Sequence, residues 1–440
     1  MKICVATSTT ARVGGAESYL GDVLGGLLGA GHDLALLCES DPPEVRESIV
    51  PAARRDEISV LAPGASREPA AMIDRLNCWR PDLLFAHGLE DPSLEAALVR
   101  AAPSVWFVHG YHGTCIPGMK RHAFPTLRPC SRTFGPACLA HYFPRRCGGL
   151  DPRTMWRMYR VQQRRLRMLR KCDAVVTTSA HMYDEYLRHG IGRARLHRIT
   201  FYPPQDAGQR GTGLPVLADD GAPARKWDRT LARVSFVGRL DRNKGAHLLI
   251  EAAPLAARAL GRRVRVSVVG DGPERAALQR QAAQVESRDA NVAFDFEGWL
   301  GHGTVAAHLE RHADLLVVPS VWPEPFGLVG LEAGRHGMPA AAFAVGGIPT
   351  WLHDGANGFL ARADPPTAES LAVAIVKCLG DEATYRRLCR GAVESVRRFN
   401  REVHLSELNV IFDQVLARRR AASSPPSRGT ISAFSGSTDQ

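Results

Sequence analysis

The feature that most constrains the fold of this chain is a regular alternation of short apolar runs with segments of helical period. Such runs are buried on both faces when they form strands, which requires a parallel sheet with helices packed on each side. The spacing of apolar residues between the runs, as in 16–28 and 92–101, supplies those helices. We therefore predict two doubly wound α/β units in succession. The predicted strands are 2–7, 33–38, 82–87, 104–109 and 174–178, then 233–237, 265–269, 292–296, 315–319 and 339–343.

A chain of 440 residues is long enough for two domains of ordinary size. The region between the two units is rich in Pro, Gly, Asp and Ala, and the pair Pro203-Pro204 opposes both helix and strand. The last residues carry almost no large apolar side chain and cannot offset their own ordering entropy. The predicted boundaries are 1–204 for an N-terminal Rossmann-like domain, 205–230 for a linker, 231–400 for a C-terminal domain, 401–420 for a helix packing back across the domains, and 421–440 for a disordered tail.

The loop after predicted strand 233–237 joins glycines to two cations. Ligands bind beyond the carboxyl ends of strands in open wound sheets, so two facing sheets make a cleft walled by such loops. Gly238 lets the backbone approach a ligand, while Arg239 and Lys244 before a helix suit a diphosphate. Taken alone, the loop is explained equally well as a basic surface loop.

Two glutamates with seven residues between them follow predicted strand 315–319. Glu324 precedes a helix and Glu332 lies about two turns along it. Carboxylates accept hydrogen bonds from vicinal hydroxyls, so the pair suits a ligand with two polyol groups joined by a phosphate bridge. Either glutamate alone is also explained as an ordinary helix charge. The backbone N–H groups expected to face the bridge belong to Phe326, Gly327, Leu328 and Val329.

These residues together resemble the donor half of the family 4 glycosyltransferases. The resemblance implies the GT-B fold, in which two Rossmann-like doubly wound parallel-sheet domains of the α/β class face a central cleft. It covers the chain to about Leu416. The motifs that carry it are Gly14-Gly15-Ala16-Glu17, Gly238-Arg239 with Lys244-Gly245, Gly270-Asp271-Gly272, the Glu324 to Glu332 segment, Gly346-Gly347-Ile348 and Asn357-Gly358.

The resemblance implies retaining transfer of a hexosyl unit from a nucleotide-diphosphate sugar to an acceptor hydroxyl. Arg239 and Lys244 would neutralise the donor diphosphate, and Gly15 would let the first loop approach the phosphates. No metal or other cofactor is expected, because these cations and helix dipoles take the place of a metal ion.

The remaining implied roles concern the sugar, the ribose and the base. Glu324 would bind hydroxyls of the transferred sugar, and Glu332 would bind the ribose. His109, at the end of predicted strand 104–109, matches the active-site histidine of the family, so His109 and Glu324 are the expected catalytic residues. UDP-, GDP- and ADP-sugars all remain open as donors. The loop residues expected to line the base pocket are Gly298, Trp299 and Leu300.

The charge of the chain favours anionic partners without choosing among them. There are 56 Lys and Arg against 45 Asp and Glu, a formal charge of +11. No apolar run approaches the about 20 residues needed to span a bilayer, and no signal-type stretch follows the first strand. We expect a cytoplasmic protein, peripheral on the inner membrane face if it binds lipid. Its expected partners are a nucleotide sugar, a sugar or lipid-linked acceptor of a cell-surface polysaccharide or glycolipid pathway, and an anionic membrane surface, but no nucleic acid.

A long stretch at 110–152 is predicted to be an irregular insert in the N-terminal domain. Irregular segments of this length are usually functional or stapled, since they have little core of their own. Cys115, Cys130, Cys138 and Cys147 make a structural zinc site conceivable. They lack any Cys-x2-Cys pair, so buried or free thiols are favoured over metal. We expect the insert to shape the acceptor site.

A basic amphipathic helix is predicted at 153–171. It carries eight Lys and Arg and no acidic residue, with an apolar stripe along one side. One interpretation is a helix that rests on anionic lipid. The other is a solvated basic face over an ordinary core stripe, and the sequence favours neither.

Three other functions fit parts of the sequence. A dinucleotide-dependent oxidoreductase needs Gly-x-Gly-x-x-Gly after the leading strand, and this chain lacks it there. A catalytically inactive GT-B-fold adaptor that binds anionic lipid or polymer would not need the intact Arg239, Lys244, Glu324 and Glu332. A sugar-nucleotide epimerase would need no acceptor. Turnover distinguishes these alternatives from a transferase.

Overall fold

The computed structural model describes residues 1–12, 14–41, 47–50, 52–61, 68–203 and 227–423. Two parallel sheets, each flanked by helices, confirm the prediction of two wound α/β units. Residues 205–226 of the predicted linker and the predicted tail beyond residue 423 lie outside the described residues. None of the helices within the described ranges is long and apolar enough to cross a membrane.

The described part of the N-terminal half contains seven strands of one sheet and a separate two-strand pair. The strands are β1 (Lys2–Thr9), β2 (Asp33–Ser40), β3 (Ile58–Leu61), β4 (Leu83–Ala86), β5 (Ser104–Phe107), β6 (Arg121–His122), β7 (Arg128–Pro129), β8 (Ala174–Thr177) and β9 (Leu196–Arg198). The sheet runs β3-β2-β1-β4-β5-β8-β9, all parallel. The chain order reverses at β1, and such a switch point opens a ligand crevice beyond the strand ends.

Helices cover both faces of this sheet. They are α1 (Gly15–Gly29), α2 (Pro69–Trp79), α3 (Pro92–Ala101), α4 (Ala137–Tyr142), α5 (Pro152–Leu169) and α6 (Ala180–Arg188). Local sequence sets several of their starts. The Asp91 carboxylate accepts from the Ser93 N–H at the start of α3, and the Asp151 carboxylate accepts from two N–H groups at the start of α5, in each case with proline in the first turn.

The C-terminal half repeats the design with six parallel strands in the order β12-β11-β10-β13-β14-β15. These are β10 (Leu231–Val237), β11 (Arg263–Val269), β12 (Val292–Gly298), β13 (Leu315–Val318), β14 (Ala340–Phe343) and β15 (Gly358–Ala361). The helices are α7 (Ala246–Leu260), α8 (Arg275–Glu286), α9 (His302–His312), α10 (Val329–Arg335), α11 (Ala368–Leu379) and α12 (Glu382–Val396). The short strands β3, β6, β7, β9 and β15 are not among the predicted strands.

The last helix, α13 (Arg401–Ser423), packs on the N-terminal half. Arg401 Nε donates to the Asp22 carboxylate on α1 at 2.8 Å. Phe412 is fully buried, with its ring 5.2 Å from that of Phe85 on β4. The helix therefore ties the end of the chain to the first sheet.

The insert at 110–152 is more ordered than its sequence suggests. It contains the β6-β7 pair and α4, and it shares a small apolar core with α5. A buried ion pair anchors it, because Lys120 Nζ lies 2.5 Å from the Glu185 carboxylate on α6. The insert still has little core of its own, because its apolar residues pack against a helix outside it. The core residues are Ile116, Phe134, Tyr142, Tyr159 and Leu166.

Candidate active site

A cavity of about 830 Å³ lies between the two sheets, beyond the carboxyl ends of their strands. The N-terminal half contributes the start of α1, His109 and Phe201, and the C-terminal half contributes the loops after β10, β11 and β13. The two walls approach closely, since a Cβ on Gly15 would lie 3.5 Å from Cδ1 of Leu328. The volume falls within the roughly 300–1,000 Å³ of small-molecule sites.

The loop between β10 and α7 brings its two cations to this cavity in different ways. Gly245 has φ +70°, and a Cβ there would lie 1.8 Å from the carbonyl oxygen of Pro319, so only glycine lets the loop pack against the end of β13. Lys244 beside it is partly buried. The Arg239 side chain is 72% exposed, with its Nε 3.9 Å from the Asp241 carboxylate. Arg239 therefore has room to move toward a ligand.

Glu324 is a buried carboxylate held by several donors. Its Oε1 accepts from Lys244 Nζ at 2.6 Å, from Ser320 Oγ at 2.6 Å and from Trp322 Nε1 at 3.0 Å. Gly346 allows this position, because its φ is +56° and a Cβ there would lie 2.2 Å from the Glu324 carbonyl oxygen. The carboxylate is thus fixed next to the cation before any ligand binds.

The remaining residues predicted for the donor surround this pair. Phe326, Gly327, Leu328 and Val329 line the cavity at the start of α10. Glu332 lines it from the first turn of that helix, so the prediction that it lies about two turns along is wrong. Trp299, which is 55% exposed, and Leu300 line it from the loop after β12. Gly298 does not line the cavity. Its carbonyl instead accepts from the Gly270 N–H at 2.8 Å, which joins the ends of two neighbouring strands.

His109 lines the cavity from the N-terminal side. It lies two residues beyond the end of β5, so the prediction that it ends the strand is wrong by that amount. Its ring stacks on Phe201 with a centroid distance of 5.9 Å, and its Nε2 lies 2.9 Å from Nδ1 of His87. Burial, helped by nearby His112, lowers the pKa of His109 to about 3, so the imidazole is neutral at ordinary pH.

Several residues of the cavity were not predicted from sequence. Gly270 and Gly272 belong to a motif that carries the family resemblance, but no role in the site was predicted for them, and they line the wall beside Gly238. The adjacency of β10 and β11 is the signal that would have placed them there. Arg12 and Phe201 also line the cavity, but a loop arginine and a phenylalanine after a short edge strand carry no local signal.

The insert contacts the loop between β10 and α7 (238–245), which we call the cation loop, across the cleft. Arg121 Nε donates to Oδ1 of Asn243 at 2.5 Å, and Asn243 Nδ2 lies 3.4 Å from Sδ of Met119. The Asn243 carbonyl in turn accepts from the Val321 N–H at 2.8 Å. The insert is therefore linked to the loop that carries Lys244 and to the segment that carries Glu324.

The four cysteines of the insert do not form the zinc site considered from sequence. All are free thiols, and no group of three or more His, Cys, Asp or Glu side chains in the described ranges is arranged to hold a metal ion. Two of them have polar contacts with other groups. Cys138 Sγ lies 3.8 Å from the Thr133 carbonyl, and Cys147 Sγ lies 3.8 Å from Nδ1 of His122.

Comparison with known proteins settles the family. Residues 13–200 match the family described as Glycosyltransferase Family 4, and residues 223–394 match the one described as Glycosyl transferases group 1. The chain belongs to glycosyltransferase family 4. The resemblance seen in the sequence motifs is thereby confirmed.

Curated relatives match parts of this family 4 chain. D-inositol 3-phosphate glycosyltransferase of Nocardia farcinica is 38% identical over 170 residues, covering 38% of this chain and 37% of the relative. Glycogen synthase of Mycobacterium tuberculosis is 30% identical over 233 residues, covering 51% of this chain and 50% of the relative. The matched part thus spans about half or less of each relative's length.

Solved structures share the fold over nearly the whole family 4 chain. Anabaena HepE, crystallised in complex with UDP-glucose, has a TM-score of 0.60 at 19% identity, covering 96% of this chain and all of the other. Sucrose-phosphate synthase of Thermosynechococcus elongatus has a TM-score of 0.64 at 20% identity, covering 95% and 99%. These similarities, together with the family, establish the GT-B fold.

Proposed function

We propose that this protein is a retaining glycosyltransferase that moves a hexosyl unit from a nucleotide-diphosphate sugar to an acceptor hydroxyl. The observation that carries the proposal is the Lys244–Glu324 pair, held at 2.6 Å in the cavity that Glu332 also lines. A cation paired with one carboxylate, in a cavity that a second carboxylate lines, suits a diphosphate that joins two polyols.

In this proposal the cation loop stabilises the leaving group. A lysine ammonium has three donors, so Lys244 can keep its bond to Glu324 and still bind a phosphate oxygen. Arg239 adds a second positive charge once it turns into the cavity. Together with the N–H groups around Phe326 and Leu328, they stabilise the charge that grows on the departing nucleoside diphosphate. The chemistry as proposed requires no metal ion.

The sugar and nucleoside ends of the donor take the remaining residues. Glu324 accepts from hydroxyls of the transferred sugar, Glu332 from the ribose, and Trp299 with Leu300 covers the base. The acceptor hydroxyl attacks the face that the leaving group vacates, and the departing phosphate takes up its proton. His109 is neutral there, so it acts as a hydrogen-bonding group rather than as a charge.

The test is turnover with a panel of UDP-, GDP-, ADP- and dTDP-sugars. UDP-glucose comes first, because it is the ligand of Anabaena HepE. We expect the wild type to release one nucleoside diphosphate, and to release it slowly when no acceptor is present. We expect Glu324→Gln to lose this release. Absence of release from every donor, with and without acceptor sugars, would favour the inactive adaptor. Conversion of the donor to its epimer without release would favour the epimerase.

We further propose that α5 rests on an anionic membrane surface, where a lipid-linked acceptor would lie. Arg153, Arg157, Arg160 and Arg164 are exposed along one face of this helix. Trp156 on the same helix is 50% exposed, and Leu150 just before it is 79% exposed. Basic residues beside exposed apolar side chains are typical of interfacial helices, whereas a solvated face does not need Trp156 and Leu150.

Sedimentation with vesicles tests the membrane part separately. We expect binding at low salt to vesicles of phosphatidylglycerol with phosphatidylcholine, and little binding to phosphatidylcholine alone. Arg157→Glu with Trp156→Ala should abolish binding, and Arg263→Glu, at the exposed first residue of β11 in the other half, should leave it unchanged. Equal binding of all three proteins would contradict this role of α5.

A further inference from the structure

A second histidine lies directly behind His109. His87 follows β4 and His109 follows β5, and these strands are parallel neighbours, so both side chains emerge at the same edge of the sheet. Nδ1 of His87 lies 2.9 Å from Nε2 of His109, a hydrogen-bond distance. None of the family motifs in the sequence includes His87.

Both rings are neutral, so one must donate its single N–H and the other must accept. Burial lowers the pKa of His87 well below its ordinary value, as it does for His109. No group in the described part of the chain favours the charged form of His87, which is surrounded by the rings of Phe85, Phe107 and Tyr19.

The environment of the other ring nitrogen of His87 decides which of the two histidines donates the hydrogen bond. Its Nε2 is buried and has no hydrogen-bond partner within the described residues. A proton on Nε2 would leave an N–H donor buried and unpaired, which is rarer in proteins than an unpaired acceptor. The proton of His87 therefore belongs on Nδ1, where it bonds to His109.

We propose that His87 is a positioning residue that fixes His109 as the Nδ1–H tautomer. With Nε2 of His109 occupied as an acceptor, its one N–H is on Nδ1. Nδ1 has no protein partner within the described residues, and His109 is partly exposed and lines the cavity. His109 thus presents a donor to the ligand, and it cannot act there as a base.

The tautomer is measured by ¹⁵N NMR on the full chain with labelled histidine and no ligand. The chain has 16 histidines, so the His109 signals are assigned from their loss in His109→Gln. We expect a protonated Nδ1 and an unprotonated Nε2 in the wild type. A protonated Nε2 on His109 in the wild type would by itself overturn the inference.

Two substitutions of His87 connect the tautomer to turnover, and this step rests on the proposed function. His87→Asn keeps an N–H donor near the position of Nδ1, whereas His87→Phe removes it. We expect His87→Asn to keep the wild-type tautomer, and His87→Phe to mix the tautomers and lower kcat about tenfold with donor KM little changed. A His87→Phe enzyme with normal kcat would overturn the positioning role. If no donor turns over in the wild type, the transferase proposal fails. The NMR measurement still decides whether the tautomer of His109 is the one proposed.

Discussion

At the scale of single residues, the central feature is a cation and a carboxylate that are distant in the sequence of the C-terminal domain and meet in the cavity. Lys244 and Glu324 are 80 positions apart and lie 2.6 Å apart. The motifs predicted that each residue belongs to the site. Their direct pairing was not predicted, because it depends on β10 and β13 being neighbours in the sheet.

Removing the cation tests its role. We expect Lys244→Ala to lower kcat/KM for the donor about 10- to 150-fold, because a hydrogen bond to a charged group contributes about 1.5–3 kcal/mol. The fold should survive, since Ser320 and Trp322 still donate to Glu324. Lys377→Ala, at an exposed position on α11 outside the cavity, is the control. Steady-state kinetics in which both variants match the wild type would contradict the assignment.

Gly346 packs against the backbone of Glu324. We expect Gly346→Ala to displace Glu324 and to remove most donor turnover, because the new Cβ would lie 2.2 Å from the Glu324 carbonyl oxygen. Gly25→Ala is the matched control. A Cβ there would lie within 4 Å of no atom of the described residues, and alanine favours a helix by up to about 1 kcal/mol. Activity and circular-dichroism melting of both variants check this, and an active Gly346→Ala would show that the backbone there adapts.

At the scale of elements, α13 holds the N-terminal half through a buried histidine. Nδ1 of His404 donates to the Thr200 carbonyl at 2.8 Å, and its Nε2 accepts from the Tyr19 hydroxyl at 2.7 Å. Burial lowers the pKa of His404 to about 4. Between that pH and the ordinary value near 6.5, the unfolded chain binds a proton that the folded chain does not.

The contribution of His404 to stability is therefore present above about pH 6.5 and is lost as the pH falls toward about 4. We expect the free energy of unfolding to fall over this interval, with His404 responsible for up to about 3 kcal/mol. His404→Gln keeps a polar side chain without the titration, so its stability should fall less steeply. Urea unfolding of both proteins from about pH 7.5 to about pH 4.5 measures this. Parallel curves would show that His404 contributes nothing.

The insert is an element whose order the sequence did not predict. Its core pairs Ile116 and Phe134 with Tyr159 and Leu166 on α5, and contacts so distant leave no periodic pattern. Its bridge to the cation loop is also non-local, since Arg121 and Asn243 are 122 positions apart.

Removing the hydrogen bond between Arg121 and Asn243 should reduce the protection of the insert against hydrogen exchange. We expect Arg121→Ala to raise amide hydrogen exchange in 116–147 and in 241–245, because the hydrogen bond to Asn243 joins these segments. Arg128→Ala, on β7 and without a described bond to that loop, is the control. Unchanged exchange in both segments would mean that the contact does not restrain them.

At the scale of the whole molecule, the fold was predictable and the assembled site only in part. Apolar runs set the strands, and helices between them require parallel sheets, so the two wound units followed from local pattern. The edge strand β15 was missed because Gly358 at its start gives it little strand signal. His87 was missed because a histidine after a strand means little until the neighbouring strand is known.

The whole account depends on a cavity that joins both halves around one nucleotide. Melting curves with UDP, GDP, ADP and dTDP test this most directly, because a ligand at about 100 times its Kd adds about 2.7 kcal/mol of stability. We predict that one nucleoside diphosphate raises the melting temperature of the wild type, less so that of Glu332→Gln, and least that of Lys244→Ala. Stabilisation by none of them, or equal stabilisation of all three proteins, would contradict a donor site between the sheets.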